Sequence, residues 1–200
     1  MKQSSSRKNK WEDHYSRKAK KDNFAARSVY KLEEIQKKHR IIKKGDKIID
    51  LGCAPGSWLQ YAAGLTGNSG HVVGIDLKPL TIKMPANARH YTADILDMDE
   101  ALLESIGDGY NLVMSDMAPS TTGQKHVDAA RSFELCQTAL SLAEKLLKPG
   151  GYFVCKIFQG ESFQTFSESV KKHFKNSKIF KPQSSRKASK EIYIIGIGKK

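Results

Sequence analysis

Apolar residues follow two alternating periods along this chain. From Ala25 to about Lys38, Val29, Leu32 and Ile35 recur at spacing three and mark one helix face, with Lys31 and Lys38 off the stripe. Lys47–Leu51 reads as a strand ending in a Gly/Pro turn, followed by a helix over Trp58–Leu65. His71–Ile75 and Ala88–Thr92 read as strands closing near Asp76 and Asp94, with a helix over Asp99–Ile106 after them. Asn111–Ser115 is a strand closing on Asp116. Leu135, Ala139, Leu142 and Leu146 line a long helix that Pro149-Gly150-Gly151 stops. Tyr152–Ile157 is the next strand and Ser162–Phe174 the next helix. Two late strands, around Lys178–Phe180 and Ile192–Ile197, end the pattern. This alternation predicts an α/β, Rossmann-like fold: a seven-stranded, mostly parallel sheet with helices on both faces. No helix separates the last two strands, so one of them is expected to run antiparallel.

Length and charge refine this picture. Two hundred residues suit one domain with a full core. Residues 1–23 are polar, rich in Lys and Ser, and without apolar periodicity. They are expected to form a mobile basic arm, either touching a ligand or serving as a plain leader, with 24–200 as a single catalytic domain. The net charge of +13 is segregated. Residues 1–47 hold 16 basic and 6 acidic side chains and residues 171–200 hold 10 and 1, which leaves an acidic middle. Two basic ends around an acidic centre point to a polyanion held beside the site. Cys53, Cys136 and Cys155 have no disulfide or zinc spacing, and the histidines form no ligand pair, so no metal is expected. No apolar run has the length of a membrane span. The expectation is a reduced, cytoplasmic, monomeric protein.

The chemistry begins at Asp50-Leu51-Gly52-Cys53-Ala54-Pro55-Gly56-Ser57-Trp58, a strand–helix turn. In such sheets ligands bind beyond the carboxyl ends of the strands. Gly52 and Gly56, with Pro55 between them, allow a tight turn that approaches a ligand closely. Ala54 and Ser57 break the GxGxxG pattern, which disfavours a nicotinamide or flavin cofactor. Asp76 at the second strand end suits the two hydroxyls of a ribose, Asp94 at the third suits an adenine amino group, and Trp58 offers an aromatic wall. Those parts, in that order, are what S-adenosyl-L-methionine needs. Asp97 and Asp99 crowd the loop of Asp94 and are alternatives to it.

Four segments extend the argument: Gly52-Cys53-Ala54-Pro55-Gly56-Ser57-Trp58, Ser115-Asp116-Met117-Ala118-Pro119, Val154-Cys155-Lys156-Ile157-Phe158-Gln159-Gly160, and Ser184-Ser185-Arg186 with Glu191-Ile192-Tyr193. In this order they resemble the FtsJ-type RNA 2′-O-ribose methyltransferases, from about Tyr30 to Gly198. The resemblance implies an S-adenosylmethionine-dependent methyltransferase fold and a Lys-Asp-Lys-Glu tetrad on Lys31, Asp116, Lys156 and Glu191. It also implies cofactor contacts from Gly56, Trp58, Asp76, Asp94 and Asp116. It is strongest to bacterial members that methylate a uridine ribose of 23S ribosomal RNA in the large ribosomal subunit. Ser57 and Ser120 depart from the Gly and Asn common in bacterial members.

A ribose 2′-hydroxyl needs alignment with the methyl carbon and sulfur, and an acceptor for one proton. A free lysine titrates near roughly 10.4. Burial and a second ammonium lower that value and neighbouring acids oppose the shift. On one reading Lys156 is the base, Lys31 lowers its proton affinity and grips the RNA, and Asp116 and Glu191 orient it. On the other, Lys156 stays charged and steers the hydroxyl. Without the motif, Lys31 and Glu191 would read as surface charges and Asp116 as a turn cap. Arg27, Lys31, Ser184, Ser185 and Arg186, with Lys37, Lys38 and Lys187, are expected to grip phosphates in a salt-sensitive way. Tyr30 and Phe158 either stack on a base or pack in the core. Other readings are a tRNA or cap methyltransferase, a non-catalytic assembly factor that binds RNA, and a small-molecule O-methyltransferase.

Overall fold

A computed structural model describes residues 14–119, 124–186 and 189–200. Residues 1–13 of the expected arm, Ser120 and Lys187 lie outside the described residues. One sheet contains β1 (Lys47–Leu51), β2 (His71–Asp76), β3 (Ala88–Thr92), β4 (Tyr110–Ser115), β5 (Leu147–Phe158), β6 (Phe174–Phe180) and β7 (Glu191–Lys199). Their order is β3-β2-β1-β4-β5-β7-β6. The first five strands in that order are parallel, and β7 lies antiparallel to both β5 and β6. The expected antiparallel strand is therefore β7. It returns directly from β6 and needs no helical crossover.

Helices α1 (His14–Lys21), α2 (Val29–His39), α3 (Ser57–Thr66), α4 (Glu100–Ile106), α5 (Lys125–Leu146) and α6 (Ser162–His173) complete the described elements. Leu32 and Ile35 of α2 and Leu59 and Ala62 of α3 pack on Ile48, Leu112 and Val154 of the sheet. Cys136 and Ala139 of α5 and Phe166 of α6 pack on the other face with Ile49, Val113 and Phe153. Because both faces are covered, the central strands read as nearly continuous apolar runs. The leucine, isoleucine, valine and phenylalanine side chains among these contribute about 1.5–3 kcal/mol each on full burial.

Three elements differ from the sequence expectation. Helix α2 begins at Val29, after a lead-in of short i to i+3 bonds from Val29, Tyr30 and Lys31 to Ala26, Arg27 and Ser28. Strand β5 already includes Leu147, which pairs with Tyr110 before the register shifts. The Pro-Gly-Gly turn thus lies inside an irregular strand start. Residues 14–21, read as part of a mobile arm, form α1. Ala19 is buried against Val29 and Tyr30, and Lys18 lies over the Tyr30 ring at 4.3 Å. Tyr15, whose ring lies 5.5 Å from that of Tyr30, Ala19 and the Lys18 stem make that contact, too short an apolar pattern to mark the helix in the sequence.

Candidate active site

Strand order reverses at β1, whose neighbours are β2 and β4. A cavity of about 300 Å³ opens beyond the carboxyl ends of the first four strands. Gly52, Asp76, Asp94 and Asp116 line it, with Ala54, Leu77, Ile95 and Met117 as apolar walls. Gly52 has φ +75°, and a Cβ there would meet Met117 Cγ at 2.2 Å. Only glycine lets the turn and the Met117 side chain share this space. Asp76 accepts from the Ala54 N–H at 2.9 Å and the Lys78 N–H at 2.8 Å, which fixes its carboxylate at the cavity edge. Asp94 accepts from the Leu96 N–H at 2.9 Å. Of the competing loop acids, Asp99 caps α4 by accepting from the Leu102 N–H at 2.7 Å, and Asp97 is absent from the cavity wall.

Pro55, Gly56 and Trp58 do not line the cavity. The Pro55 carbonyl accepts from the Thr81 N–H at 3.3 Å. Gly56, with φ +113°, lies under Ile82, where a Cβ would come within 2.7 Å of Cδ1. They shape and brace the turn. The Trp58 side chain is 3% exposed and belongs to the core, donating from Nε1 to the Ser28 carbonyl at 2.8 Å. Its expected role as an aromatic wall is not met, because α3 turns the indole toward α2. Asp50 sits fully buried behind the same turn, and burial, with Asp116 and Asp76 nearby, raises its carboxyl well above the usual range.

The other half of the site joins β4, β5, β7 and α2. Lys156 is 8% exposed, and its ammonium lies 3.1 Å from Asp116 Oδ1 and also donates to the Asp116 carbonyl. Lys31 pairs with Glu191 at 2.8 Å. Burial raises the Glu191 carboxyl, but Lys31, and then the charge of Lys156, reverse this and hold it below the ordinary carboxylate range. The four tetrad residues thus form two linked ion pairs, with Glu191 feeling both lysines. Lys31, off the apolar stripe, is buried through its acid partner.

Tyr193 was not singled out by the sequence for any role. Its hydroxyl donates to Asp116 Oδ1 at 2.5 Å from a fully buried position. Glu191 and Tyr193 are two apart on one strand and so share a face, a signal that was available in the sequence. Glu34 was also missed. It lies one turn beyond Lys31 and accepts from the Gln183 N–H at 2.6 Å and the Ser184 N–H at 2.8 Å.

These bonds correct the expected phosphate grip. Ser184 is 0% exposed and Ser185 8%, because Glu34 and the Arg27 guanidinium, which donates to the Ser184 carbonyl, draw the loop onto α2. Arg186 remains exposed, and its charge lowers the proton affinity of Arg27 after the larger effect of burial. Lys37 pairs with Glu33 at 2.6 Å, and Lys38 lies over the Phe180 ring at 5.0 Å. Tyr30 is buried and donates to Asp22 at 2.8 Å, while Phe158 is half-buried at the end of β5.

A switch-point cavity ringed by three carboxylates, beside a buried cluster of lysines and acids, defines a Rossmann-like methyltransferase of the α/β class. The FtsJ-like methyltransferase model matches residues 24–199, and the chain belongs to that family. It is 60% identical over 194 residues to the ribosomal RNA large subunit methyltransferase E of Desulforapulum autotrophicum, covering 97% of this chain and 96% of that one. It is 53% identical over 200 residues to the protein of the same name from Desulfatibacillum aliphaticivorans, covering 100% and 97%. A ribosomal RNA methyltransferase structure from Plasmodium falciparum superposes with TM-score 0.78 at 27% identity, covering 88% of this chain and 98% of that one. No described helix is long and apolar enough to cross a membrane.

Proposed function

We propose that this protein transfers a methyl group from S-adenosylmethionine to a ribose 2′-hydroxyl, that of a uridine in 23S ribosomal RNA of the large ribosomal subunit. The observation that carries the reading is the ion pair of Lys156 with Asp116, whose carboxylate also lines the nucleoside-sized cavity. The cavity suits the donor: three carboxylates match a cationic, hydroxyl-rich nucleoside, and its volume is at the lower end of the usual range for small-molecule sites. Asp76 would hold the ribose hydroxyls, Asp94 the adenine amino group, and Asp116 the region of the methyl. S-adenosylmethionine supplies an already activated methyl on a sulfonium. In its neutral form, after releasing its own proton to solvent, Lys156 would take the proton that leaves the ribose oxygen as that oxygen bonds to the methyl carbon and the carbon–sulfur bond breaks. Asp116 aims the Lys156 nitrogen, and Lys31, held by Glu191, places a second ammonium beside the developing alkoxide.

The names of the curated relatives support the ribosomal substrate, and Arg186 with the basic termini would supply phosphate contacts. The test is to incubate the protein and tritiated S-adenosylmethionine with large subunits from a strain lacking its gene, then map the label. Naked ribosomal RNA and tRNA serve as comparison substrates. Lys156→Ala should abolish transfer and leave donor binding intact. Lys156→Arg should also fail, since a guanidinium does not release its proton. Transfer by Lys156→Ala at the normal rate would end the assignment.

A further inference from the structure

We propose that Tyr193 is a positioning residue for this methyl transfer: its hydroxyl fixes Asp116 Oδ1 and takes up part of the carboxylate's charge, so that Lys156 meets a weakened counter-ion and exchanges its proton more readily. The inference rests on Lys156 being the base. Asp116 Oδ1 serves two donors, the Tyr193 hydroxyl at 2.5 Å and the Lys156 ammonium at 3.1 Å. The shorter contact belongs to the neutral group. Electron density drawn toward the phenol is unavailable to the ammonium, and this competition is strong where water is excluded. Tyr193 is 0% exposed, so its hydroxyl is shielded from solvent.

The geometry holds the phenol at this carboxylate. Lys156 and Tyr193 are direct partners in the β5–β7 register, so both side chains leave the same face of the sheet. The Tyr193 ring packs on Trp58 with centroids 5.8 Å apart, and Trp58 is tied to the Ser28 carbonyl. Ser28 immediately precedes α2, the helix that carries Lys31. One packed chain therefore runs from Asp116 through Tyr193 and Trp58 to the second lysine of the site. This also accounts for the burial of Trp58 away from the cavity. Burial, and then Asp116, hold the phenol's ionisation well above its ordinary value, so it remains a donor through any assay range.

The titratable groups around the pair are few. Lys156 faces Asp116 from the end of β4 and Tyr193 and Glu191 from β7, and Glu191 in turn holds Lys31 of α2. Cys136 of α5 donates to the Lys156 carbonyl at 3.1 Å, and Cys155 is its chain neighbour. Asp50 of β1 lies behind the turn, where burial and then the charge of Asp116 raise its carboxyl.

The test is the pH dependence of kcat/KM on RNA. Tyr193→Phe keeps the ring and its Trp58 contact and removes only the hydroxyl. Asp116 then presents its full charge to Lys156, and the acidic limb should move to higher pH by about 0.5 unit, roughly a threefold loss below the limb. The plateau at high pH should stay near wild type. Placing 3-fluorotyrosine, a stronger donor, at position 193 should move the limb to lower pH, and this arm holds even if the Phe variant folds poorly. A uniform loss at every pH with the limb unmoved would make Tyr193 merely structural and overturn the proposal. Lys156→Ala run in parallel separates the two readings. Activity in that variant removes the base itself, whereas a dead Lys156→Ala beside an unmoved limb in both Tyr193 replacements removes only the role of Tyr193.

Discussion

Replacing Glu191 by glutamine tests the second ion pair, because it removes the charge facing Lys31 and preserves the side-chain shape. The pair is 2.8 Å apart, with the side chains 11% and 12% exposed. Removing one partner of a buried pair costs about 3–5 kcal/mol, mostly for the charge left behind. Here both groups keep some water contact and the glutamine carbonyl still accepts from Lys31, so a loss of about 2 kcal/mol is expected. A 200-residue chain unfolds with an entropy near ~0.4 kcal/mol per degree, so this corresponds to about 5 °C in Tm. The pH dependence follows from the sign of the shift. Burial raises the Glu191 carboxyl, but Lys31 and Lys156 outweigh it, so the folded value lies below the unfolded one. Its contribution is therefore complete above the ordinary glutamate value of roughly 4.3. It fades as pH falls through the lower folded value. Urea unfolding of both proteins at pH 7 and at a series of acidic pH values measures the gap. Equal midpoints at pH 7, or a gap that persists unchanged into strong acid, would refute the reasoning.

Two further outcomes follow from the turn and from the last loop. Gly52→Ala places a methyl on Met117 at a positive φ, with strain of about 1–2 kcal/mol. Met117 must then move into the cavity wall, and calorimetry should find S-adenosylmethionine bound at least about fivefold more weakly. Glu34→Ala removes the shared acceptor of Gln183 and Ser184. Amide exchange at those two positions should accelerate and RNA affinity should fall, while donor affinity stays unchanged.

Much of the site was legible in the chain because it is built at strand ends. Glycines at a strand–helix junction and acids closing successive strands are local signals, and Gly52, Asp76, Asp94 and Asp116 all reach one cavity. Lys156 stood out as a charge inside an apolar strand, and it meets Asp116 across 40 residues of sequence. The resemblance supplied Lys31 and Glu191, which no local pattern would have paired.

Apart from α1, amino-acid order alone determined the succession of strands and helices, their buried stripes and the turn that shapes the cavity, since period and backbone preference are properties of neighbours. Tertiary structure decided which partner each polar side chain meets. Trp58 faces α2 and not the cavity, Ser184 is drawn inward by a carboxylate 150 positions away, and Tyr193 reaches Asp116 across 77. The physical reason is that a side chain's face is set by its own strand or helix. Whether that face meets water, a ring or an acid depends on which elements the sheet order lays beside it.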